Sequence, residues 1–215
     1  MCYFPQNINY QAPAPVISPA PNLPRGPKSQ VTLLLRRGLL TQEEAEELYT
    51  MSLAQLEEDI LRRIAAYNGE GLESIFHRIQ IWGGSTGRNI YVKEPLFVWE
   101  RVAPHYHELV QACMAIREIT HASLLGFGVA VTHFKATVDN IGISFITKHT
   151  RFWLHCSLGN NALPIYDSRM ATHVMGRRTV SDNDLIRYWE AMYQKAQDEN
   201  ISLDQLERHL FVYWG

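Results

Sequence analysis

The chain has 215 residues, 46% hydrophobic and 11% aromatic, enough to bury a substantial core and to exclude global disorder. Its 20 Lys and Arg against 22 Asp and Glu give a formal charge of −2, so no overall basic character advertises a nucleic-acid partner. Three widely separated cysteines (Cys2, Cys113, Cys156) exclude a disulfide framework, a four-thiolate zinc site and a four-cysteine iron–sulfur cluster. There is no run of about 18 apolar residues, and the N-terminus lacks the basic start and apolar run of a secretory signal. The expectation is a soluble, cytoplasmic, monomeric protein with no membrane partner.

Seven of the ten prolines fall in the first 27 residues, so residues 1–29 read as an irregular, proline-rich arm. Helical patterning begins near residue 30, and residues 30–215 read as one helical domain. Thr41-Gln-Glu-Glu44 and Ser52-Leu-Ala-Gln55 are capping boxes. After the second, Leu53, Leu56, Ile60 and Ile64 recur at spacings of three and four, forming one apolar helical stripe. Ile75, Phe76 and Ile79 mark a short helix ending at the glycine-rich stretch Trp82–Arg88, and Asn89–Val92 is the one candidate strand. From Leu96 to about Thr120 the pattern is periodic again, with Pro104 opening the longer helix. A further helix follows Leu125-Gly-Phe-Gly128 and runs to about Val138. Segments 151–158, 168–175, 181–197 and 202–213 complete an all-α fold.

Chemistry concentrates between residues 138 and 176. Lys148 stands at the start of an amphipathic helix, behind a tight non-helical turn. A helix N-terminus disfavours an ammonium, and a neutral lysine amine is a nucleophile. Nineteen residues on, Asp167 follows the apolar run Leu163-Pro-Ile-Tyr166 and precedes Ser-Arg, at the N-cap of the next helix. Taken singly, Lys148 reads as a solvated helix-start lysine and Asp167 as an ordinary cap.

The segment Ser144-Phe-Ile-Thr-Lys148, with an aromatic-rich helix behind it and Pro164-Ile-Tyr-Asp-Ser-Arg169 after it, resembles the helix-hairpin-helix DNA glycosylases. The likeness is to the 8-oxoguanine DNA glycosylase branch, and in particular to a prokaryotic subgroup. It covers residues 138–176, about a fifth of the chain. It implies two helical lobes with the active site in the cleft between them, double-stranded DNA as partner, and extrusion of a damaged or modified base into a pocket. Lys148 would attack C1′ and form a Schiff base, with β-elimination as the associated lyase activity. Asp167 would stabilise the charge developing on the sugar. The scheme requires no metal or other cofactor. Phe152, one turn beyond the lysine, would stack on the extruded base, and Trp82 and Gly83 would line its pocket. Ser144, Thr147, His149, Arg151 and Arg169 would meet the DNA backbone.

The family hairpin reads Leu-Pro-Gly-Val-Gly-x-Lys, and here the chain departs from it. Gap-free alignment on Lys148 puts Ser144 and Ile146 at the two glycines and Ile143 at the proline. A β-branched Ile146 tolerates positive φ poorly, so the hairpin must differ in shape, together with any grip on phosphate or a monovalent cation. Six basic residues lie between residues 131 and 178 (Lys135, Lys148, Arg151, Arg169, Arg177, Arg178) against Asp139 and Asp167, suggesting a DNA-facing side. The bland readings are a core position for Phe152 and a connecting turn for Trp82–Arg88, which lacks the Gly-Lys-[Ser/Thr] ending of a phosphate loop. His105 and His107, two residues apart, are poorly spaced for a helical metal site. The base removed is open: 8-oxoguanine, another damaged base, or a hypermodified base of invading phage DNA. A silent DNA-binding module of the same fold is the alternative from a different class.

Overall fold

Two capping boxes start α2 (Gln42–Thr50) and α3 (Leu53–Ala65) where the sequence places them. Thr41 Oγ1 accepts from the Glu44 N–H and the Glu44 carboxylate accepts from the Thr41 N–H, with Ser52 and Gln55 repeating the exchange. The computed structural model describes residues 2–14, 22–177 and 179–213. Among these there are eleven α-helices and no strand. No helix among them is long and apolar enough to cross a membrane. The chain forms two units, one of Met1–Ile17, Tyr106–Thr137 and Gly142–Gly215, the other of Ser18–His105 and Val138–Ile141.

The second unit holds α1 (Arg25–Arg36), α2, α3, α4 (Leu72–Trp82) and α5 (Asn89–Val92). Pro27 lies in the first turn of α1, where a missing N–H costs nothing, so the helix begins at Arg25, inside the segment read as an irregular arm, of which residues 15–21 lie outside the described residues. Asn89–Val92 is one helical turn, not a strand: four residues without a pairing partner cannot make a sheet. The apolar stripes of α1, α3 and α4 supply a core that includes Val31, Leu34, Leu56, Ile60, Phe76 and Ile79. Within it lies an ionic hub. Arg78, 1% exposed, donates from Nε to Asp59 Oδ2 at 2.9 Å, and Nη1 reaches Ser74 Oγ at 2.6 Å. Asp59 also accepts from Arg62 and Arg63. Burial pushes the Asp59 carboxyl up, but the bonds from Arg63 and Arg62 and the charges of Arg63 and Arg78 outweigh it and hold it low.

The first unit holds α7 (His121–Thr137), α8 (Ile143–Leu158), α9 (Ser168–His173), α10 (Asp182–Glu199) and α11 (Leu203–Tyr213), while α6 (Trp99–Ala115) contributes from Tyr106 onward. Pro104 lies inside α6 instead of opening it, and α7 begins at His121 and runs through Gly126 and Gly128. Gly128 lies against α10: a Cβ there would stand 2.3 Å from Ile186 Cδ1, so that side chain would have to turn away. Residues 2–14 are docked on this unit. The Tyr3 N–H donates to the Val174 carbonyl at 2.8 Å, and Gln205 Nε2 reaches the carbonyls of Tyr10 and Ala12.

Asp59→Asn should lower stability, by less than the about 3–5 kcal/mol of a fully orphaned buried charge, because Arg78 loses its buried anion and keeps only the half-exposed Glu47 carboxylate at 3.3 Å. The carboxyl titrates lower in the folded protein than in the unfolded chain. Its stabilisation is therefore present above the ordinary carboxyl range and lost as pH falls through the folded value. Chemical denaturation from neutral to acid pH should show the wild-type advantage shrinking below about pH 4.

Candidate active site

α8 is buried almost all round. Ile143, Phe145, Ile146, Thr147, His149, Thr150, Phe152, Trp153 and Leu154 all face protein. Ser144, Lys148, Arg151 and His155, spaced four, three and four, form its partly accessible stripe. The Lys148 ammonium lies 4.0 Å above the centroid of the Phe145 ring, one turn back. Burial pulls the Lys148 amine below the ordinary lysine range, against the smaller opposing pull of the Asp167 charge.

Asp167 is the N-cap of α9, its Oδ1 accepting from the N–H groups of Arg169 and Met170 at 3.0 Å each. The extended segment leading to it is held by side chains from three helices. Trp189 Nε1 donates to the Pro164 carbonyl at 3.1 Å and the Tyr188 hydroxyl to the Ile165 carbonyl at 2.9 Å. The Ile165 N–H donates to Glu207 Oε1 at 2.7 Å, and the Tyr166 N–H to Thr147 Oγ1 at 3.1 Å. The Tyr166 ring stacks on Tyr188 with centroids 4.8 Å apart. The Thr147–Tyr166 bond joins the residue before Lys148 to the residue before Asp167 and so ties the two candidate positions to one register. Burial, with the Glu207 and Asp167 charges, raises the Tyr188 hydroxyl well above its ordinary range and keeps it a donor.

The hairpin differs from its sequence reading. The turn spans Val138–Gly142, where Asn140 takes φ 62° and Gly142 caps α8. Asn is the non-glycine residue best suited to that region. Ser144 and Ile146 are therefore helical, so positions 143–147 form no hairpin of the family's kind, and Lys148 stands in the second turn of α8 instead of at the helix start directly behind a turn.

Several DNA contacts read from sequence are corrected by burial. Thr147 and His149 have no exposed surface and reach no phosphate. Thr147 serves the register bond, and His149 Nδ1 lies 2.9 Å from the Tyr106 hydroxyl, which accepts from Trp153 Nε1–H. Phe152 is 0% exposed, a core residue instead of a stacking platform. Arg151 pairs with Glu207 and Asp204, Lys135 with Asp182, and Arg177 with Asp184. Three of the six basic residues are thus answered by carboxylates from residues 182–207, and Arg178 lies outside the described residues. Ser144 remains half-buried on the Lys148 stripe. Arg169 is half-buried, its guanidinium 4.6 Å from the Phe211 ring centroid, and Phe211 is 45% exposed. Trp82 ends α4 and Gly83 caps it, both in the second unit and half-buried.

Sequence reading missed Glu207, Tyr188 and Trp189. Adjacent aromatics with polar tips in one helix were a legible sign of a buried bonding role, but what they hold lies more than twenty residues away. Compared with family models, with curated proteins and with solved structures, the chain matches none.

Thr147→Val keeps the shape of the side chain and removes the acceptor of the Tyr166 N–H. It should cost about 1–3 kcal/mol in urea denaturation, with the slope unchanged, and Thr147→Ser should recover most of the loss.

Proposed function

We propose that the protein is a DNA glycosylase with associated β-elimination lyase activity, acting on a damaged or modified base of double-stranded DNA through Lys148. The observation that carries this reading is the desolvated Lys148 amine under the influence of an Asp167 carboxylate that a helix N-terminus and the Thr147–Tyr166 bond hold in register. DNA as the substrate rests on the sequence resemblance around residues 138–176.

The chemistry needs a neutral amine and a fixed negative charge in one site. Desolvation increases the fraction of Lys148 present as free amine, whose lone pair attacks C1′ as the glycosidic electron pair leaves with the base. The Asp167 carboxylate offsets the positive charge that accumulates on the sugar as that bond breaks. Ring opening of the aminal gives the protonated Schiff base, whose 2′-proton is acidified. Its removal expels the 3′-phosphate and nicks the strand. With Phe152 buried, the exposed Phe211 beside Arg169 is the aromatic face available next to Asp167. In this reading Arg169, half-buried beside Phe211, supplies the guanidinium for a phosphate contact.

Incubation with duplexes carrying single modified bases, followed by borohydride, should trap a covalent protein–DNA adduct with at least one of them. Lys148→Gln should abolish the adduct, while a protein that binds these duplexes and traps none is the silent module. Asp167→Asn separates charge from capping, because Asn caps a helix about as well as Asp. It should keep DNA affinity and melting temperature and lower single-turnover excision by about 10²–10³-fold. Unchanged turnover would remove Asp167 from its role.

A further inference from the structure

The second unit contains a cavity of about 550 Å³ that the proposed chemistry leaves unused. Its size is that of a small-ligand site. Leu40, Leu72 and the Trp99 indole give it an apolar wall, Glu44 and Glu73 give it two carboxylates, and no Lys or Arg lines it. The loop beneath α4 crosses it as Gly69 and Gly71, both at positive φ, so no side chain from these residues fills the space.

His77 is the second and independent observation. It lines the cavity, yet it is 1% exposed. Its ring is enclosed by Phe76, Tyr91 and Phe97, with centroids 5.4–5.9 Å away. Nδ1 is committed to the Tyr91 hydroxyl at 2.8 Å. Nε2 makes no hydrogen bond among the described residues, and its nearest charged neighbour is Glu73 Oε1 at 3.4 Å. A buried imidazole nitrogen left in this state is costly, and a ligand that satisfies it gains what the free protein lacks.

The basic side chains around the cavity are already engaged. Arg78 binds Asp59, Ser74 and Glu47, and Arg37 donates to the Tyr91 carbonyl. The orphan N–H groups at the start of α4 would favour an anion, but Glu73 already occupies that first turn. What the walls present is therefore a set of acceptors beside an aromatic face. An ammonium would meet the charge requirement as a point donor. A guanidinium meets the whole set, with N–H donors spread in a plane toward two carboxylates and an imidazole nitrogen, and a flat face for an indole.

We infer that this cavity binds a guanidinium group, carried either by a free alkylguanidine or by an arginine side chain of a partner protein. The carboxylates of Glu44 and Glu73 take its charge, His77 takes one N–H at Nε2 in the tautomer whose Nδ1–H donates to the Tyr91 oxygen, and Trp99 stacks on its plane.

The test is an NMR titration of the full-length protein that follows the tryptophan indole N–H signals, with Trp99→Phe assigning that of Trp99. The probes are butylguanidine, doubly blocked arginine, and doubly blocked citrulline as the neutral isostere. Saturable displacement of the Trp99 signal by a guanidine, absent with citrulline, is the expected result. Glu73 is partly exposed, so Glu73→Gln should preserve the fold and weaken binding about tenfold or more, the scale of one lost charged bond. Binding of butylguanidine alone identifies a free small molecule as the source, and binding of blocked arginine alone identifies a protein partner. No saturable response to either guanidine at millimolar concentration overturns the inference, as does an equal response to citrulline or an unchanged affinity in Glu73→Gln. These outcomes are independent of whether Lys148 forms a Schiff base.

Discussion

The candidate site depends on one hydrogen bond, from the Tyr166 N–H to Thr147 Oγ1. Extended backbone inside a helical protein has no ladder partner, so each of its polar groups needs a side chain or water. Residues 164–166 are satisfied by Trp189, Tyr188, Glu207 and Thr147, which come from α10, α11 and α8. The result is a strap whose position is set by buried groups on three helices. Asp167 stands at its end, where the α9 N-terminus takes over the work of holding it. A loose loop could not keep a carboxylate in fixed register with a lysine nineteen residues earlier.

The same arrangement accounts for the environment of Lys148. α8 is packed on nearly every side, so the one stripe that reaches the surface is narrow and poorly hydrated. An amine on that stripe is penalised when charged, and the nearby carboxylate only partly compensates. Arg151, on the same stripe, avoids the penalty by pairing with Glu207 and Asp204. Two basic residues three positions apart thus have opposite roles. Arg151 is structural, because Glu207 also accepts from the Ile165 N–H and so couples α8 to the strap. Lys148 instead has its amine shifted toward the neutral form by burial, which is the state the proposed chemistry would use.

Much of the fold was legible in the sequence because its signals are local. The capping boxes at Thr41 and Ser52, the stripe of α3, the Asp167 cap and the spans of α10 and α11 all follow from residues a few positions apart. The errors share a cause in tertiary context. Gly126 and Gly128 do not break α7, which runs through both and packs on α10 beside Gly128. Four residues at Asn89–Val92 carry too little pattern to separate a strand from a turn of helix. The turn before α8 was not legible because Asn140, rather than a glycine, takes the positive φ. The charge pattern was incomplete for a related reason: the sequence does not show that folding pairs Lys135, Arg151 and Arg177 with carboxylates between residues 182 and 207. Lys148 and Asp167 were legible as a pair, whereas Glu207, Tyr188 and Trp189 declare their role only through contacts.

The most direct measurement is an NMR titration of the Lys148 Nζ signal in the intact protein, assigned with Lys148→Arg. The expected midpoint lies below the ordinary lysine value of 10.5. It should fall further in Asp167→Asn, because the lost carboxylate charge is the pull that favours the ammonium. A midpoint at or above 10.5, or one indifferent to Asp167→Asn, would contradict a desolvated lysine held in register with that carboxylate.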